Sequence, residues 1–392
     1  MKQPVKRALA LSGGGVTGYL FEIGALAALD DLFEDGITVN DFDLFMGMSA
    51  GAAVAALMAN GVKPAEIFRA NLTGERPYYF ERRDIFKPAM GDGVMTGPRA
   101  ILKLIPFLKL YWRNRHEMSL IDLLDKAQEA LPSGLYTLDP FARYLETTFA
   151  AKWLSNSFED LRKELYIPAI DLDTGEGVVF GDEGWRKVPI SRAVIASSAM
   201  PIYFRPVRIN GRDYIDAGVG RIAFFETAVR KGADFLVIIN PMIGRQRDAG
   251  TDAAAPSAVR PAPVRDKGFL AIGDRVSRIN LETRFSQALR LFRHEHPDKE
   301  LFVISPKTTD TVLFERSFLS FRDRVQLLRC GYLSAMEVVK EQFGLARTVF
   351  ARNGMSLAPG RIEERMAVCG DQVAGSEAAT WLSPMSCERK AG

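Results

Sequence analysis

The chain of 392 residues contains only three cysteines and three histidines. Cys330, Cys369 and Cys387 all fall late, and so sparse and odd a set excludes a disulfide framework and fits a reducing compartment. No stretch reaches the roughly eighteen apolar residues that a membrane-spanning helix needs. The N-terminus, MKQPVKRALALSGGG, carries positive charge, but its short apolar run ends in glycines instead of a cleavage site and reads as a core strand. With a net charge of +3 and no block of five like charges, the chain lacks the footprint of a nucleic-acid binder. Internal repeats are also missing. These absences point to a cytoplasmic globular protein, and a 47% hydrophobic, 25% charged composition supplies material for a large core.

What is present alternates. Val5 to Leu11 reads as a buried strand broken by Gly13 to Gly15, and Leu20, Ile23, Leu26, Ala27 and Leu29 then recur at helical spacing. Asp43 to Met48 is a second strand and Ala50 to Asn60 a second helix, ended by Gly61. Such alternation predicts an α/β fold whose mostly parallel sheet is covered on both faces. Residues 63–154 read as a helical, cap-like insertion. Alternation resumes with a helix capped by Ser157, strands in LYIPAIDL and GVVF, a helix from Ile190 to Ser198, and a hairpin turning at Asn210-Gly211. A helix from Phe225 to Lys231 and a strand from Phe235 to Asn240 follow. Residues 244–267 read as a flexible loop or linker, 268–345 as a C-terminal α/β continuation of the same domain, and 346–392 as a poorly ordered tail.

Gly13 to Gly18, GGGVTG, matches Gly-x-Gly-x-x-Gly between a strand and a helix. Three uses are open to it. A dinucleotide site, as in a nucleotide-binding oxidoreductase, would want an acid at the end of the second strand, yet Asp41 and Asp43 stand at its start. A tight turn would use the glycines only for their backbone angles. An oxyanion site would turn the loop amides toward the developing charge of an acyl-transfer intermediate.

The last use needs a nucleophile. Gly47-Met48-Ser49-Ala50-Gly51 fits Gly-x-Ser-x-Gly with a strand before it and a helix after it, the context of a nucleophile elbow; the alternative is Ser49 as a helix N-cap. A base must accompany the serine. His116 lies in the basic part of the cap-like region, and His294 and His296 lie in the charged turn RHEHPDKE, where solvated side chains are the rule. Asp216, at the end of the strand in YIDAGVG, is better presented, although an aspartate there could simply cap the next turn. The small residues of AVIASSAMPIYFRP offer a tight packing surface behind a buried site. No cofactor or metal is expected.

Taken together, ALALSGGGVTGYLFEIGAL, GMSAG, IPAIDLDTG, ASSAMPIYF and DAG resemble the patatin-like phospholipase family over about residues 7–242, in the family's order. The resemblance implies a three-layer α/β/α sandwich and hydrolysis of lipid acyl esters, of phospholipase A or lysophospholipase type. It also implies Ser49 as nucleophile, Asp216 as base and Gly13, Gly14 and Gly15 as the oxyanion hole. A neutral-lipid lipase, a thioesterase or a catalytically silent lipid-binding protein on the same fold are the other readings. The chain departs from the family pattern at Thr17, where a Lys or Arg is usual, and at Ala217. For Asp216 to act as a base, desolvation should raise its pKa. Finally, AILKLIPFLKLYW has too narrow a polar stripe for an ordinary surface helix, which leaves core burial, packing against a partner chain, or, with the basic residues after it, peripheral contact of 100–115 with a membrane surface.

Overall fold

The computed structural model describes residues 5–89, 112, 133–220, 224–242, 264–306, 313 and 317–371. Ten strands are described: β1 (Arg7–Leu11), β2 (Leu44–Gly47), β3 (Lys87–Pro88), β4 (Tyr136–Thr137), β5 (Glu164–Asp171), β6 (Gly177–Phe180), β7 (Val207–Ile209), β8 (Arg212–Asp216), β9 (Phe235–Ile239) and β10 (Glu300–Ile304). Eight form one sheet in the order β10-β9-β1-β2-β5-β8-β7, with β6 paired to β5. From β10 to β5 every pairing is parallel, whereas β6, β7 and β8 run antiparallel.

Alternation along the strands divides the core in two. Leu9, Leu11, Phe45 and Val237 face one apolar cluster, while Ala8, Ala10, Leu44, Met46 and Ile238 face the other. Against the first lie α1 (Gly15–Leu32), α2 (Ala50–Ala59), α3 (Pro64–Thr73) and, much later in the chain, α9 (Arg324–Glu341). Against the second lie α7 (Phe224–Arg230) and α8 (Phe269–Glu295), through Phe225, Phe285 and Phe292. The result is the α/β/α sandwich expected from the alternation. The shorter α4 (Arg82–Ile85), α5 (Asp139–Ala151) and α6 (Ile190–Ser197) complete the helices before α7.

Several elements differ from the sequence expectations. No helix follows Ser157; its hydroxyl accepts the Glu159 N–H at 3.2 Å in a local turn, and β5 begins at Glu164. The described ends of 63–154 do not stand away from the domain, because α3 and α5 bury Ile67, Phe68, Phe141 and Phe149 in the first cluster. The tail is ordered further than expected: α10 (Phe343–Arg352) and α11 (Pro359–Asp371) are helical, and Met355, Leu357 and Ile362 are buried. Sparse apolar residues hid this from a periodicity argument, since Leu357 pairs with Phe33, far away in the chain. Of residues 100–115 only Trp112 is described, and it is exposed; most of 244–267 also lies outside the described residues.

Candidate active site

β1 and β2 are parallel neighbours, with Leu11 opposite Gly47. The turns that leave them, Gly13–Gly15 and Met48–Ser49, are therefore side by side at the C-terminal edge of the sheet, where open α/β sheets place their sites. Three successive positive φ angles, 75° at Gly13, 114° at Gly14 and 64° at Gly15, fold the first turn. A Cβ at Gly13 would stand 2.3 Å from the Met48 carbonyl oxygen, so the contact between the two turns requires glycine there.

Ser49 holds φ 54° and ψ −130°, and its side chain makes no capping bond to α2. A non-glycine residue in such a conformation costs on the order of 1–3 kcal/mol and persists where its surroundings enforce it. They do so here. Gly47 lets α2 cross β2 closely, since a Cβ at that position would meet the Gly51 carbonyl oxygen at 2.4 Å. The Ser49 N–H donates to Ser197 Oγ at 2.9 Å, and Ser197 is fully buried. The ASSAM block thus supplies a hydrogen-bond acceptor to the elbow, a role that small size alone did not reveal.

Asp216 arrives by register. Met46 pairs with Tyr166, so Ala169 lies three residues further along β5, level with Ser49, and Ala169 pairs with Asp216 at the end of antiparallel β8. The Asp216 N–H donates to the Ala199 carbonyl at 3.0 Å, and its Oδ1 accepts the Gly218 N–H at 2.7 Å. Asp216 therefore does cap the following turn, and the same carboxylate also interacts with the Ser49 hydroxyl. Its side chain is buried. Desolvation pushes its pKa up to about 6, against the opposing pull of Ser49 and the Gly218 amide. The histidines are elsewhere. His294 and His296 lie at the end of α8, just before β10, and so at the opposite edge of the parallel sheet; His116 lies outside the described residues.

One expected oxyanion donor is committed elsewhere. The Gly13 N–H donates inward to Glu22 Oε1 at 2.6 Å, leaving the Gly14 and Gly15 amides without an acceptor among the described residues. Thr17 is also turned away from the site: fully buried, it donates to the Gly14 carbonyl at 3.2 Å.

Two hollows meet at Ser49. A cavity of about 430 Å³ is lined by Gly14, Gly15, Ser49, Asp216, Met242 and Arg284 among others. On the other side an apolar recess of about 50 Å³ runs between Val16, Tyr19, Phe80, Phe141 and Phe204. Among the described residues no group of His, Cys, Asp or Glu side chains is arranged to hold a metal ion.

Residues 9–228 match the model of the family described as patatin-like phospholipase. The chain belongs to that family. Membership supports lipid ester hydrolysis and lends nothing to a nucleotide-binding oxidoreductase. The chain is 23% identical over 255 residues to the probable lipid hydrolase 463L of Invertebrate iridescent virus 6, covering 62% of this chain and 72% of the viral protein. It is 27% identical over 216 residues to the cGAMP-activated phospholipase of Escherichia coli, covering 52% of this chain and 49% of that one. The uncharacterized protein YqhO of Bacillus subtilis is 28% identical over 207 residues, 50% of this chain and 57% of its own length. The match thus spans only about half the length of the two bacterial relatives. Among solved structures, VipD of Legionella pneumophila is similar at 14% identity and a TM-score of 0.39, over 86% of this chain and 67% of that one.

Proposed function

We propose that Ser49 and Asp216 form a catalytic dyad that hydrolyses lipid acyl esters of phospholipase A or lysophospholipase type. The observation that carries this reading is a strained serine, unused as a cap, whose hydroxyl meets a buried carboxylate with a raised pKa. Ser49 Oγ attacks the acyl carbonyl while Asp216 takes its proton, and the carbonyl oxygen becomes an oxyanion held by the Gly14 and Gly15 amides. Collapse of this intermediate breaks the ester bond, and Asp216 returns the proton to the departing alcohol. Water then attacks the acyl-enzyme with Asp216 again as base, releasing the fatty acid and free Ser49.

The two hollows suit the two halves of such an ester. The apolar recess accepts the acyl chain, and the larger, partly polar cavity accepts the alcohol portion. No helix among the described residues is long and apolar enough to cross a membrane. Ile202 and Val219 on the cavity wall are exposed, as are Phe269, Ile272, Val276 and Ile279 along one side of α8, and they provide an apolar contact to the lipid surface.

The test is profiling of the lipids released by the wild-type protein and by Ser49→Ala, together with labelling by a fluorophosphonate. Fatty acid released only by the wild type, with the label on Ser49, supports the proposal. Absence of labelling, together with no turnover of phospholipid, neutral acylglycerol or acyl thioester, would make this a lipid-binding protein with a silent site.

A further inference from the structure

Helix α8 turns Ser277, Asn280, Leu281 and Arg284 toward the cavity, positions that share one helical face. Arg284 is the cation on that wall. Its Nη1 donates to the carbonyls of Val219 and of Gly220, the latter at 2.7 Å, and its Nε donates to the Asn280 carbonyl at 3.2 Å. All of these acceptors are backbone oxygens.

No carboxylate pairs with Arg284 among the described residues, and its Nη2 has no partner there. Burial holds the guanidinium below its ordinary pKa, with no acid raising it. Asp216 lines the same cavity but is engaged with Ser49 and Gly218, and Arg284 exerts no pull on it. A half-buried cation that meets only carbonyl oxygens is costly to hold unless an anion completes its surroundings. The guanidinium fork matches a phosphate better than any other side chain does. The Ser277 and Asn280 side chains, which have no partner among the described residues, can add neutral hydrogen bonds to the same group. Thr17, standing where the family usually carries its cation, is buried outside this cavity.

We propose that Arg284, flanked by Asn280 and Ser277, recognises the phosphate of an anionic glycerophospholipid on the alcohol side of the scissile ester. This rests on the reading of Ser49 and Asp216 as the hydrolytic pair, because that reading defines the alcohol side. The chain would thereby replace the missing cation of its first glycine block with one contributed by α8.

The test compares two monomeric probes, dihexanoylphosphatidylglycerol and uncharged dihexanoylglycerol, for binding to Ser49→Ala and for turnover by the wild type. Ser49→Ala should bind the anionic probe about tenfold more tightly or better, and adding Arg284→Gln should abolish the preference while Arg284→Lys keeps part of it. Asn280→Asp, an exposed position where misfolding is no concern, should also shrink the preference by placing a carboxylate beside the guanidinium. An equal preference with and without Arg284→Gln, or with and without Asn280→Asp, would overturn the inference. So would inorganic phosphate that competes as strongly as the lipid, since the group would then serve a free anion. If neither probe is turned over but the Arg284-dependent preference persists, the hydrolase reading fails and the phosphate subsite stands; turnover with no preference has the opposite meaning.

Discussion

The backbone N–H of Gly13 and the carboxyl of Glu22 are joined at 2.6 Å inside the protein, tying the glycine turn to the helix that it starts. Glu22 is fully buried, and desolvation raises its pKa well above the usual carboxylate range. This bond takes up the Gly13 amide, while the next two amides have no acceptor among the described residues.

Replacing this acceptor should therefore weaken turnover out of proportion to substrate binding. Glu22→Leu is expected to lower kcat by roughly tenfold or more and stability by about 1–3 kcal/mol, since a buried N–H loses its partner. Glu22→Gln keeps a carbonyl oxygen in place and should recover most of the kcat. Steady-state kinetics on a soluble short-chain ester and thermal unfolding measure both effects; equal kcat in the two variants would remove Glu22 from any positioning role.

Ser49→Ala and Asp216→Asn should each reduce ester hydrolysis by a factor on the order of 10³ or more, as expected when one member of a catalytic unit is removed. His294→Ala and His296→Ala should leave the rate within about twofold of wild type, because both lie at the far edge of the sheet. Loss of turnover in a folded His294→Ala protein would replace the dyad by a triad.

The pH profile follows from Asp216. In the proposed dyad only the ionised form accepts the Ser49 proton, so kcat/KM should rise as pH increases through about 6 and level off above it. Stability runs the other way. The folded pKa lies above the ordinary value of 3.8, so the contribution of this group is fully present below about 3.8 and is lost as pH rises through about 6. Asp216→Asn escapes that loss and should be more stable than wild type by up to roughly 3 kcal/mol at pH 8, with the difference vanishing near pH 4. Denaturant unfolding at the two pH values decides it; a constant difference would show that the carboxylate is not desolvated.

Ser197 anchors the elbow from behind. Ser197→Ala strips the Ser49 amide of its acceptor and should cost about 1–2 kcal/mol of stability together with several-fold in kcat. An unaltered kcat would mean that the strained φ of Ser49 is enforced by α2 and the glycine turn alone.

Membrane contact can be separated from chemistry. Phe269→Ser, Ile272→Ser and Ile279→Ser combined should reduce hydrolysis of vesicle phospholipid by about tenfold, as expected from the lost apolar contact. The short-chain soluble ester should be hydrolysed at much the same rate, since none of the three residues lines the cavity. Matching losses on both substrates would place this stripe of α8 in the fold instead of at the lipid surface.

The local signals in the sequence determined the strand–turn–helix units, because periodicity and glycine placement act over a few residues. Val5 to Leu11, the Ser49 elbow, the Asn210-Gly211 hairpin and the ordered blocks of the family pattern were all legible at that range. Tertiary structure alone decided which groups meet. Nothing near Ser197 in sequence points to the Ser49 amide, nothing near Glu22 indicates that it takes the Gly13 N–H, and α8 carries Arg284 into a cavity built by strands far earlier in the chain. The same reason explains Leu357, whose burial depends on Phe33. Hydrogen bonding and desolvation depend on the distance between atoms, and for residues far apart in the chain only the strand register and helix packing set that distance.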